Sequence, residues 1–251
     1  MSRTSIEWSE LVWNLILGCS KFSPGCANCY AIREVARERC EAHEGLAIPK
    51  PVRNWTGLIR FVPARLSEPL RRTKPTKWFV NSLSDFFHEA IPIEWQIAGL
   101  EVMRMADWHI FQILTKREDE LHRLLNGDLK EYADLPNIMW GVSVEDRKFG
   151  LPRIDALRTT PARIRWLSIE PLLEDLGDIN LEGIHWVVVG GESGPTARPM
   201  KEEWVWPLKE QCEAAGVPFF FKQWGGTNKK QTGRLLGGRT CDECLPIEEV
   251  A

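Results

Sequence analysis

Six times along the chain a short apolar run, most with a tryptophan in it, ends in polar residues and gives way to a helical pattern. Residues 78–80 run into Asn81, Ser82 and Asp85, and 108–114 into Thr115, Lys116 and Arg117. Residues 138–142 run into Ser143 and Glu145, and 164–167 into Ser168 and Glu170. Residues 184–189 lead to Gly190, Gly191, Glu192 and Ser193, and 217–221 to Lys222 and Gln223. Strand and helix in alternation imply a parallel sheet with right-handed crossovers. About six to eight such units form an α/β barrel, complete or partial, of the TIM type, whose polar strand tips gather at one mouth. Candidate catalytic groups there are Asp85, Lys116, Glu145, Glu170 and Lys222.

Helical spacing predicts helices over 30–43, 64–72, 93–106, 118–126, 147–157 and 202–215. A buried first strand over 13–18 delivers Cys19 to the mouth, and a weak second strand covers 57–62. The expected organisation is a single barrel domain over 1–251, with a flexible C-terminal tail, first basic and then acidic, from about residue 225. Residues 222–239 hold five basic residues, no acidic ones and five glycines.

The most unusual stretch is Gly18 to Tyr30, where Cys19, Cys26 and Cys29 fall within eleven residues at the spacing C-x6-C-x2-C. Thiolates so placed can converge on one metal ion or on an iron–sulfur cluster. A structural zinc site closes with four protein ligands, whereas a cluster held by three cysteines keeps one iron open. Three cysteines without a near fourth favour the open site.

Seven cysteines, an odd number, and no secretory opening argue against a disulfide scaffold and for a cytoplasmic protein. No run reaches the length of a membrane helix. The formal net charge of −3 gives no overall attraction to nucleic acid, yet residues 50–77 carry eight basic residues against Glu68 alone. Trp55, Arg60, Arg65, Arg71, Arg72 and Lys74 in that stretch, with Lys229 and Lys230 in the tail, are the nucleic-acid candidates. The plain alternative is a solvated basic helix face.

The cysteine loop resembles that of the radical S-adenosylmethionine enzymes, whose first gap is usually three residues where this chain has six. The stretch 4–31, the strand tips at 81–85, 113–117, 141–145 and 168–171, and the segments 190–194 and 197–200 are together similar to a largely uncharacterised family of phage and bacterial three-cysteine proteins. The resemblance implies a 4Fe-4S cluster on Cys19, Cys26 and Cys29, with S-adenosylmethionine on the open iron. Tyr30, Asn81, Ser82, Ser143, Glu170, Gly190, Gly191, Glu192, Ser193 and Arg198 are then the candidates for holding the cofactor. It further implies a flavodoxin- or ferredoxin-like reductant and, through the phage association, DNA or RNA as substrate for modification or repair.

Each feature has a plainer reading. Asp85 and His88, three apart, read as a capped helix start before they read as metal ligands. Glu170 pairs with Lys116 as readily as with a ligand, and Cys40 fills a helix face. The second C-x2-C, Cys241 and Cys244, completes a four-cysteine zinc site with Cys26 and Cys29 in the main competing account, a nucleic-acid-binding protein stabilised by zinc or a cluster, without catalysis.

Overall fold

The computed structural model describes residues 2–4 and 6–245. Its frame is seven parallel strands: β1 Leu11–Trp13, β2 Lys77–Val80, β3 Ile110–Thr115, β4 Ile138–Ser143, β5 Ile164–Ile169, β6 Trp186–Gly190 and β7 Phe219–Gln223. They lie side by side in chain order, and β7 does not pair with β1, so the sheet curls into a half-barrel. Among the described residues the helices are α1 Tyr30–Val35, α2 Ile93–Met105, α3 Glu118–Asn126, α4 Gly150–Thr159, α5 Glu202–Ala215 and the single turn α6 Lys229–Thr232.

Successive side chains of a strand point to opposite faces, and here both faces are apolar because both are covered. Trp78, Phe111, Trp140, Val187 and Phe221 belong to the large cluster with Leu100, Leu124, Leu157 and Leu208 of the helices. Phe79, Met139, Trp166, Trp186, Val188 and Phe220 form the inner cluster, completed by Trp8. The Trp8 ring lies edge-on at 4.8 Å from Phe79 and 5.2 Å from Trp166. It fills the hollow that an eighth strand would close. Gly141 makes room for this packing, since a Cβ there would lie 2.4 Å from the Trp166 indole.

Unpaired strand edges invite association, and both edges carry short antiparallel cover. Ser2–Arg3 pairs with β1, and Asp242 bridges Phe220 of β7. Cys244 and Leu245 pack against the inner cluster. Among the described residues no helix is long and apolar enough to cross a membrane.

Departures from the sequence reading concentrate before residue 73. The first barrel strand is Leu11–Trp13, not 13–18, and Ile16–Leu17 leaves the sheet to pair antiparallel with Arg60–Phe61, all that forms of the expected second strand. The helix over 30–43 stops at Val35. Arg60 donates to the carbonyls of Glu41, Ala42 and Glu44, satisfying a short turn there instead of a continued helix. Cys40 is therefore exposed rather than on a helix face. In place of a helix over 64–72 there are two 3-10 turns, Pro63–Arg65 and Pro69–Arg71. Pro69 has no N–H to donate and clashes with the preceding turn, so one helix cannot run through it.

Candidate functional site

The carboxyl ends of the strands open into a cavity of about 180 Å³ bordered by Cys19, Cys26 and Cys29 together with Asn81, Ser82, Asp85, Thr115, Lys116, Ser143, Glu170 and Lys222. A second cavity of about 450 Å³ shares Cys26, Cys29, Tyr30, Lys116, Glu170 and Lys222 with it, and adds Gly191, Glu192, Ser193 and Gln223. The two form one mouth, and all seven cysteines of the chain are free thiols.

The cysteine loop is tied to the strand tips on every side. Asp85 is the keystone, accepting from Phe87 N, Thr115 Oγ1, Lys116 N and Arg117 Nη1, the last at 3.0 Å. Arg117, only 3% exposed, also donates to Ser20 Oγ at 2.8 Å and lies 3.9 Å from Cys19 Sγ. His88 meets the same Ser20 hydroxyl at 2.9 Å. Phe22 lies with its ring centroid 5.1 Å from the Arg117 guanidinium and 5.7 Å from that of Arg153. Ser23 donates to Glu145, which is fully buried and pairs with Arg153 at 2.5 Å. Three of the six residues between Cys19 and Cys26, namely Ser20, Phe22 and Ser23, thus serve as anchors.

From the other side the segment after β6 clasps the loop. Arg198 grips Glu192 with two nitrogens, at 2.5 and 3.0 Å, and donates to the carbonyl of Pro24. Asn28 donates to Glu192 at 2.8 Å and to the carbonyl of Thr196. These contacts hold the Glu192 carboxyl below its ordinary range despite its burial, with the Arg198 side chain the strongest favourable influence.

At the floor, Glu170 is bonded by Lys222 Nζ at 2.6 Å and by the Trp8 indole N–H at 3.1 Å. Its partner is Lys222, not Lys116. Gly190 permits this pairing, because a Cβ there would lie 2.9 Å from a Glu170 oxygen. Among the described residues Lys116 has no carboxylate partner, and the Asn81 side-chain N–H group is buried and unpartnered beside the cavity.

Burial pushes the Cys19 thiol up from 9.0 to about 12, assisted by the Asp85 carboxylate and opposed by Arg117. Burial raises Cys29 as well. Both are protonated in the bare chain at neutral pH, so metal loading must release protons. Among the described residues no group of three or more His, Cys, Asp or Glu is gathered for a metal ion. A single tetrahedral ion with bonds of about 2.3 Å needs sulfurs within about 4 Å of each other. The three free thiols border one hollow whose other wall is made by the strand tips.

The structure separates several residues that the sequence grouped. Glu145 borders neither cavity and lies under the cysteine loop. Asp85 caps a turn, not a helix, and His88 faces Ser20, so the two are not a metal pair. Trp55 is buried with Leu17, Ile32 and Val35 and borders the mouth from within, facing inward instead of onto an outer surface. Arg60 serves the carbonyls named above, Arg65 donates to the Asn14 carbonyl, Arg71 to Ser67 and Arg72 to Thr76. Lys74 and Lys230 are exposed, and Lys229 bonds Glu7 at 3.0 Å. The four-cysteine zinc site does not form. Cys244 borders a small hollow with Lys77 and Ile110, the residues that open β2 and β3, at the end of the barrel opposite Cys26 and Cys29. Sequence reasoning missed Trp8, Ser20, Phe22, Ser23 and Arg117. Only Arg117 left a signal, as the third residue of a strand tip.

Fold and site together define a class: an α/β half-barrel with a cysteine-bearing loop fastened across its strand tips. The chain belongs to the DUF5131 family, described as protein of unknown function, whose family model matches residues 3–245. That description carries neither the phage origin nor the three-cysteine motif implied by the sequence resemblance. Among solved structures, a mutant of spore photoproduct lyase is similar at a TM-score of 0.43 and 10% identity, over 83% of this chain. The chain spans 64% of the length of that structure. No curated protein matches the sequence.

Proposed function

We propose that the protein is an iron–sulfur, S-adenosylmethionine-dependent radical enzyme acting on a nucleic acid or nucleotide, in modification or repair. The observation that carries this reading is the convergence of Cys19, Cys26 and Cys29 on one cavity with the strand-tip polar groups. The three thiolates would hold the cluster, and cluster and cofactor together supply the one-electron chemistry that side chains do not.

The chain's own residues bind and orient. Arg117 offers N–H and positive charge to the Cys19 sulfur. The free Asn81 N–H group and the unpaired Lys116 ammonium suit the polar and carboxylate groups of an amino-acid moiety, and Ser82, Ser143 and the Glu170–Lys222 pair suit hydroxyls. Gly190 and Gly191 allow close backbone approach. Trp8 seals the floor against water from below. An external flavodoxin- or ferredoxin-like protein would deliver the electron.

The test is anaerobic incubation of iron- and sulfide-loaded protein with S-adenosylmethionine and dithionite. Release of 5′-deoxyadenosine by the wild type and none by Cys26→Ala supports the proposal. No release from a fully loaded wild type overturns it.

A further inference from the structure

Most of the basic side chains that singled out residues 50–77 are occupied with the fold, but Lys50 and Arg53 of that stretch join Arg33 and Arg37 in a cationic surface beside the mouth. A groove of about 620 Å³ is bordered by Arg33, Glu34, Arg37, Lys50 and Arg53, with Pro49 and Pro195 at its walls. It shares Arg33 and Glu34 with the larger mouth cavity, so the two are continuous. Four cations and one carboxylate give this lining a local charge of 4 − 1 = +3 in a chain whose net charge is −3. Glu34 is already held by Arg37 at 2.5 Å. Among the described residues Lys50 and Arg53 have no carboxylate partner. Lys21 extends the track, its ammonium donating to the Arg53 carbonyl at 3.3 Å.

We infer that this groove is the path by which a single-stranded polynucleotide reaches the mouth, its phosphates on Lys50 and Arg53 and its bases turned toward Tyr30. Tyr30 is 44% exposed and borders the mouth cavity that Arg33 and Glu34 share with the groove, so a flat ring for stacking stands where the track enters the mouth, whereas Trp55 is only 6% exposed. An acidic peptide would use the cations but not the ring. A duplex cannot place a base in a recessed mouth without extruding it, and a single strand can. The inference rests on the proposed function for what happens in the mouth, but binding itself requires neither cluster nor cofactor.

The test is fluorescence anisotropy of a labelled single-stranded DNA of mixed sequence with the full chain, at several salt concentrations. Lys50→Gln with Arg53→Gln is compared with the exposed pair Arg71→Gln and Lys74→Gln, after circular dichroism shows that both variants are folded. The groove variant should bind about tenfold more weakly, and its slope of log affinity against log salt should fall by about 1.4, at about 0.7 for each of two phosphates no longer neutralised. The control pair should change neither. Equal weakening in the two variants, unchanged binding by the groove variant, tighter binding of duplex, or displacement of the DNA by polyglutamate at equal charge concentration would each overturn the inference. Groove-dependent binding by a protein that releases no 5′-deoxyadenosine would leave the groove standing and remove the radical chemistry.

Discussion

Asp85 is the residue whose removal should reach furthest. Its carboxylate accepts four hydrogen bonds and pairs with Arg117, the two side chains being 9% and 3% exposed. Removing one partner of a buried ion pair costs about 3–5 kcal/mol, mostly because the other charge is left uncompensated. Here Glu89 also bonds Arg117, at 2.6 Å, and keeps part of that charge balanced. Asp85→Ala should therefore fall at the lower end, about 3 kcal/mol. Asp85→Asn should be little better, since its amide N–H groups would face the Lys116 N–H and the Arg117 guanidinium, donor against donor. The assay is urea unfolding of the metal-free protein, with iodoacetamide labelling of Cys19 as a second readout. Labelling should accelerate in both variants as Arg117 releases Ser20 and the loop loosens. A destabilisation below about 1 kcal/mol, the worth of one ordinary hydrogen bond, with unchanged labelling would refute the keystone role.

Other expectations follow from single contacts. Gly141→Ala drives a methyl into the Trp166 indole and should cost about 1–3 kcal/mol, seen as a melting temperature lowered by about 2–4 °C per kcal/mol. Because the Cys19 thiol stands at about 12 when folded against 9.0 ordinarily, its contribution to stability is full below pH 9 and is lost as pH rises through about 12. The urea midpoint of the metal-free wild type should fall across that window more steeply than that of Cys19→Ser. Cys241→Ser with Cys244→Ser should leave metal content unchanged, as measured by elemental analysis, because Cys241 is buried in the outer cluster, Cys244 lies at the opposite end of the barrel, and neither borders the mouth.

Six of the seven barrel strands and four of the six helices among the described residues are legible in the sequence because burial on two faces and helical periodicity are local signals that the chain repeats. Strand-tip positions follow from the strands, so Asn81, Lys116, Glu170 and Lys222 can be placed together without knowing what they touch. Residues 13–72 resist because their short strands and 3-10 turns exist only through distant partners, as where Arg60 reaches back to the carbonyls of Glu41 and Glu44. The same holds for the site's supports. Nothing near Phe22 announces that two guanidiniums come to it from β3's tip and from α4, and nothing near Trp8 announces a place inside the barrel. Glu145 departs from the strand-tip pattern because the alternation ends with β4 and the chain turns beneath the loop.

The chemistry proposed for the mouth turns on what the three thiols hold. Iron and acid-labile sulfide should be counted after anaerobic reconstitution of the wild type and of single Ala variants at all seven cysteines. About four of each per chain, lost in Cys19→Ala, Cys26→Ala or Cys29→Ala and retained in the variants at Cys40, Cys212, Cys241 and Cys244, is the expected result. Stoichiometric zinc without iron, or iron that survives removal of the loop cysteines, would contradict it.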